Sequence, residues 1–252
     1  MNNNKKLFLI IKALLIIICI KSTSFASEIV VYRNESMPWC GTINGKNDGI
    51  TVDILNEITK HGGPKFKFIT LPWARAQYKV KQNKCTSIIP LTRTKAREKH
   101  YKWIVKLVPN QIRFTITNKP KMQVKRPSSL TLSAFKPLKI GVIRGSAIIP
   151  NLIELGFNNI EEVNTAEMNA KKLSYGRIDA MVESEMVDIY LWNRIGQKKE
   201  DLIAGPAIGE VKYIYLGAAL NFPQDIIEKV RIAMDKIRKN GILDKIYRKW
   251  KM

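Results

Sequence analysis

"GITVDILNEITKHGG", residues 49–63, carries Val52, Leu55, Ile58 and Thr59 on one helical face and stops on two glycines. Before it, "IVVY" (29–32) is a short apolar run that reads as a buried strand, and after it "KFKFITL" (65–71) alternates as a strand does. "PWARAQYKVKQN" (72–83) opens with a proline, which suits the first turn of a helix, and "TSIIPL" (86–91) is the next strand. Strand, helix, strand, helix, strand in succession predicts an open sheet with helical crossovers, an α/β fold.

The pattern then restarts. After "QIRFTITNK" and a stretch containing Pro, Lys and Ser (119–137), "LKIGVI" (138–143) reads as a strand and a Gly-Ser turn opens a helix near 146–155. "IEEV" (160–163) is a short strand, "TAEMNAKKLSYGR" is a helix capped by Thr165, and "IDAMV" (178–182) leads into an amphipathic helix to about Ile195. Two α/β lobes in series are expected. "KYIYLGAAL" (212–220) is strand-like, and "PQDIIEKVRIAMDKIRKNG" gathers Ile226, Ile227, Val230, Ala233, Met234 and Ile237 on one helical side before a final short helix, "ILDKIYRKW". This tail cannot bury its apolar face alone, so it must dock on a lobe. Its return to the first lobe makes a clamshell with two crossings, and the cleft between lobes is the expected ligand site. The expected division is 28–112 with 218–252 for the first lobe and 113–217 for the second.

Residues 1–26 read as a secretory signal: lysines at 5 and 6, an apolar run from Leu7 to Ile20 broken by Lys12, and small residues at Ser24 and Ala26. Lys12 leaves too short a run for a membrane span, which takes about 20 apolar residues. Cleavage after Ala26 and a periplasmic location are expected. The whole chain has a formal charge of +22; without the four lysines of that segment it is +18, which favours anionic partners. The lysines are spread along the chain, as on a solvated surface, and basic residues are not clustered with aromatics as nucleic-acid modules require. No nucleic acid, metal or cofactor is expected: there is no C-x-x-C, and the histidines are only His61 and His100. Cys40 and Cys85 make an even pair, which in an oxidising compartment favours a disulfide over two thiols, although their spacing sets no distance.

The strand at 86–91 ends beside "PLTRTKAREKHYKW" (90–103). Ligands of open α/β sheets sit beyond the carboxyl ends of the strands, which is where Thr92, Thr94 and Arg97 fall. A guanidinium beside two hydroxyls suits bidentate capture of a carboxylate. Trp73, Trp103, Trp192 and Trp250 read as packing residues, whereas Trp39, after a proline in a loop, reads as a ligand contact. Arg75 suits equally a cleft wall and an ion pair.

The order and spacing of "GITVDILNEI" (49–58), "LPWARAQYKVKQNK" (71–84), "IIPLTRTKAREKHYKW" (88–103), "LKIGVIRGSA" (138–147), "LSYGRIDAMVESE" (173–185) and "AMDKIRKNGILDKIYRKW" (233–250) resemble the bacterial extracellular solute-binding proteins of family 3, the polar amino acid type. The resemblance implies a two-lobed clamshell of the type II periplasmic-binding-protein kind, each lobe a mostly parallel sheet flanked by helices. It implies a monomer that closes on a small carboxylate or amino acid and passes it to an ABC importer. Arg97 matches the family's carboxylate-binding arginine and Thr92 the hydroxyl beside it. Tyr32 and Trp39 match the loop that carries a stacking aromatic, and the turn of Arg144 and Ser146 matches the second lobe's anion contact. Ser184 stands where amino-acid binders carry an aspartate for the ligand's ammonium, with Glu183 and Glu185 flanking it; Glu183 is the substitute expected in the site. A non-enzyme is expected. The alternative is an enzyme on the same scaffold resembling the cyclohexadienyl dehydratases, with Glu183 in acid–base work.

Overall fold

The computed structural model describes residues 28–118 and 125–250. The expected signal segment lies outside the described residues.

The first repeat folds as expected, with a hairpin added. Strand β1 (Ile29–Arg33) is followed by a small hairpin, β2 (Gly41–Ile43) and β3 (Lys46–Asp48), then α1 (Ile50–Lys60), β4 (Phe66–Thr70), α2 (Trp73–Gln82) and β5 (Thr86–Thr92). Helix α1 buries Val52, Leu55 and Ile58, three of the residues aligned on its apolar stripe. Strand β1 pairs in parallel with β4 on one side and β5 on the other. A turn of 3-10 helix (Lys95–His100) then leads to the long strand β6 (Lys102–Asn110).

The chain crosses at Gln111 into β7 (Ile112–Thr117), and the second repeat follows: β8 (Ile140–Ile143), α3 (Ile149–Glu154), β9 (Ile160–Val163), α4 (Ala166–Ser174), β10 (Ala180–Ser184), α5 (Glu185–Arg194) and β11 (Leu202–Ala207). The Thr165 hydroxyl caps α4 by accepting the Met168 amide at 3.3 Å. Beyond a second crossing come β12 (Lys212–Ala218), α6 (Gln224–Lys239) and α7 (Ile242–Lys249).

The strand orders are β4-β1-β5-β12-β6 and β11-β7-β10-β8-β9. Each sheet has three parallel strands, extended on one side by two more through antiparallel pairings, so that only the inner of the two runs against the rest. Strand β12 pairs with β5 and β6, so the second crossing precedes Lys212, and residues 212–217 belong to the first sheet rather than to the second lobe as expected. A long antiparallel strand with two partners outweighs its position in the sequence. Helix α6 buries the six apolar residues of its stripe and packs on α1 and β6. Lys249 Nζ and Trp250 Nε1 both donate to Asp53 Oδ2, at 2.7 and 2.8 Å, tying the tail to α1.

One apolar cluster fills the first lobe and continues into the helical face of the second, through Ile143, Val187 and Trp192. The opposite face of the second sheet has its own cluster around Phe114, Phe135 and Phe157. Cys40 is buried and Cys85 exposed, and both are free thiols, so the expected disulfide is corrected. Cys40 donates to the Asn34 carbonyl at 3.3 Å, and burial pushes its thiol up to about 12.

Candidate functional site

The carboxyl ends of the strands of both sheets converge on one cavity of about 80 Å³. The loop after β1 supplies Asn34, Ser36 and Trp39; the start of α2 supplies Trp73; and the end of β5 with its loop supplies Pro90, Thr92, Thr94 and Arg97. From the second sheet and the turn after it come Ile143, Ser146 and Glu183, and the two crossing segments contribute Asn110, Glu210 and Lys212.

The loop after β1 is held by a buried arginine. Arg33 Nη2 donates to Thr42 Oγ1 at 2.9 Å and Asn47 Oδ1 at 2.8 Å, and its Nη1 pairs with Glu35 at 3.1 Å. These bonds lock the β2–β3 hairpin against the end of β1. The Trp39 carbonyl accepts from the Thr51 amide and hydroxyl at 3.0 and 2.7 Å, which fixes the loop to the start of α1. Close approach demands Gly49 here: with φ at +123°, a Cβ would sit 2.7 Å from the Trp39 oxygen and Cys40 Cα.

On β5, Leu91 faces Tyr215 and Ile88 faces Gly217, so Ile89 and Pro90 together oppose Leu216 in a bulge. A bulge accommodates a proline, which has no N–H for the ladder, and it turns the strand end. Beyond it, the arginines of 90–103 separate. Arg93 pairs outward with Glu98 at 2.7 Å and lies over the rings of Trp103 and Tyr215. Arg97 turns inward and is 9% exposed.

The Arg97 guanidinium donates from Nη1 to the Thr92 carbonyl at 3.0 Å, and from Nη2 to Gln77 Oε1 at 2.9 Å and the Gly145 carbonyl at 3.1 Å. Its centre lies 5.9 Å from the Trp73 ring centroid. All three acceptors are neutral oxygens. Burial with no carboxylate in contact lowers its pKa to about 10. Gly145 belongs to the second lobe, and Gln77 Nε2 donates to the same carbonyl at 3.0 Å, so the lobes touch across the cleft at this point. The turn at Gly145 has φ at +74°, and a Cβ there would meet Gln77 Nε2 at 2.8 Å.

Glu183 faces the cavity from the end of β10. Its Oε1 accepts the Ser184 amide at 3.0 Å, and burial pushes the carboxyl up to about 7. Three buried polar atoms of cavity residues have no partner in the protein: Asn34 Oδ1, Trp39 Nε1 and Asn110 Oδ1. A buried polar group with no partner costs free energy, so these atoms suit a solute carrying both donors and acceptors.

Of the expected site residues, Trp39, Thr92, Arg97, Ser146 and Glu183 border the cavity, while Tyr32 and Arg144 do not. Tyr32 packs against the core, and its hydroxyl accepts from Asn83 at 3.4 Å, because a strand places successive side chains on opposite faces. Arg144 projects outward to Glu162 at 3.6 Å. Trp73, read as a packing residue, borders the cavity, and Asn34, Gln77 and Asn110 passed unread. Asn110 did carry a signal, as a buried polar residue ending an apolar strand. Arg75 is exposed.

The family profile of the bacterial extracellular solute-binding proteins, family 3, matches residues 29–252. The chain belongs to this family. No curated protein matches it. Among solved structures it is similar to a histidine kinase sensor domain "with similarity to periplasmic binding proteins", at 16% identity and a TM-score of 0.78, covering 89% of this chain and 96% of that one. It is similar to the arginine-, lysine-, histidine-binding protein ArtJ from Geobacillus stearothermophilus, at 18% identity and 0.73, covering 88% and 94%. It is likewise similar to the GluR0 ligand-binding core from Nostoc punctiforme, solved with L-glutamate, at 18% identity and 0.73, covering 88% and 98%. The family member is thus an α/β clamshell of the type II periplasmic-binding-protein kind. Among the described residues no helix is long and apolar enough to cross a membrane.

Proposed function

We propose that this family 3 protein captures a small carboxylate-bearing solute, an amino acid or a relative of one, between its lobes and delivers it to an ABC importer from the periplasm. The observation that carries the reading is Arg97: a buried guanidinium whose partners in the chain are all neutral oxygens, at the mouth of strand β5. A buried cation in neutral surroundings is stabilised most by an anion that reaches both of its N–H edges. On this reading the solute's carboxylate takes the Gly145 carbonyl's place on Nη2, the Ser146 region closes from the second lobe, and Trp39 and Trp73 flank the solute. Glu183 receives an amine where the solute has one, in place of the aspartate that Ser184 replaces.

The test is a thermal-shift screen of the purified protein against amino acids, carboxylic acids, amines and prephenate, with Arg97→Ala in parallel. A ligand that binds only the folded state raises the melting temperature by mass action. A shift confined to carboxylates and lost in the variant supports the reading; shifts indifferent to Arg97 sink it. A second reading, a dehydratase-like enzyme, draws on Glu183 alone, since a carboxyl near 7 suits proton transfer at neutral pH. It requires prephenate to be consumed by the wild type and left intact by Glu183→Gln.

A further inference from the structure

Away from the cleft, the second lobe holds a larger cavity of about 270 Å³ between α5, β7 and β11. Its wall has three carboxylates, Glu185, Asp188 and Glu200, against one lysine, Lys199. Glu185 is occupied by Arg113 Nη1 at 3.1 Å. Asp188 is 2% exposed, and its Oδ2 has no partner. On the facing strand Thr115 is equally buried, and its Oγ1 has no partner either. Ile189, Leu202 and Ala204 complete an apolar side.

Two buried oxygens on different elements thus face one space, with Glu200 and Lys199 of opposite charge on its wall. A carboxylate this enclosed is costly unless paired. Burial holds the Asp188 carboxyl well above the usual range; the Thr115 hydroxyl offsets part of this without reaching hydrogen-bond geometry, and Glu183 and Glu185 add to the rise. A metal ion fits poorly, because among the described residues no three His, Cys, Asp or Glu side chains are grouped to hold one. An ammonium needs no such shell: its N–H donors satisfy Asp188 and Thr115 together, and a short alkyl chain covers the apolar side.

We propose that this cavity is a second binding site, selective for a small organic ammonium ion. The site is independent of the cleft reading, since no residue of its wall borders the cleft cavity. An ammonium favours the Asp188 carboxylate that burial disfavours, so binding is linked to proton release.

The experiment is calorimetric titration of the purified protein with butylammonium chloride at neutral pH, repeated in two buffers of different ionisation enthalpy. The expected result is saturable binding whose heat changes with the buffer. Asp188→Asn weakens it roughly ten- to a hundredfold, the range for a lost hydrogen bond to a charged group. Thr115→Val weakens it less, and Glu183→Gln, which removes the amine contact proposed for the cleft, retains it, which separates this site from the cleft. Near-UV circular dichroism of each variant verifies its fold. Absence of saturable heat up to about 10 mM, a concentration that detects even weak association, overturns the proposal. So does equal affinity in the folded Asp188→Asn protein, or binding that emerges only in Lys199→Ala, which would make Lys199 the cavity's own counter-ion.

Discussion

The two walls of the cleft are built from the same strand–helix repeat and do opposite electrostatic work. The first lobe offers a fixed cation: Arg97 is buried, pinned by the Thr92 carbonyl and Gln77, and charged at any physiological pH even with its pKa lowered to about 10. The second offers a backbone carbonyl at Gly145 and a carboxyl, Glu183, whose charge is unsettled near neutrality. The pairing divides the work: one wall holds a pre-aimed fork for an anion, and the other meets it with neutral dipoles that an anion can displace. Preorganised donors cost little to use, because their ordering is completed on folding.

If that division holds, Arg97→Ala produces the largest effect. Loss of a buried bidentate contact to a carboxylate costs about 2–5 kcal/mol, so solute affinity drops by about thirtyfold or more in an equilibrium titration. Glu183→Gln acts next, through pH. The folded protein retains this proton up to about 7, whereas the ordinary value is 4.5, so wild-type stability falls as pH rises through that window and is lowest above it. The variant lacks this slope, and urea unfolding at about pH 5 and about pH 8 shows it gaining about 2–3 kcal/mol on the wild type across the interval. A stability difference that does not vary with pH would mean that Glu183 stays ionised.

Gln77→Ala is the intermediate case. It removes one bond that orients Arg97 and one that joins the lobes, for a loss of about 1 kcal/mol in solute binding. A loss as large as that of Arg97→Ala would shift the main anion contact away from the guanidinium. The smallest effect belongs to Arg144→Ala, which removes only an exposed partner of Glu162: stability changes by no more than about 0.5 kcal/mol and affinity stays unchanged. Thiol labelling checks the cysteines: Cys85 reacts in the native protein and Cys40 only after unfolding.

Legibility differed between elements for physical reasons. Helices α1 and α6 were plain in the chain because their apolar stripes face a core, and Thr165 because capping is local. Strand β11 went unread: "LIAGPA" contains Gly205 and Pro206, which a strand tolerates at a sheet edge, and an edge is known only from the topology. The β2–β3 hairpin has a local signal in its Asn44-Gly45 turn, both residues at positive φ, but its three-residue strands are too short to show a period. Strand β12 was recognised as a strand but assigned across the wrong crossing, because pairing partners far apart in sequence are not written locally.

By itself the sequence determined the α/β class, the two repeats and the arginine that faces the cleft, since periodicity, caps and a strand-end loop are local properties. Only the tertiary structure decided that Trp73, Gln77 and Asn110 join that arginine while Tyr32 and Arg144 face elsewhere, and that the two cysteines remain apart. It alone brought Asp188 and Thr115 to one cavity from elements far apart in the chain. Such meetings depend on which strands pair and which way each side chain points, and a shift of one residue along a strand reverses the face on which it lands.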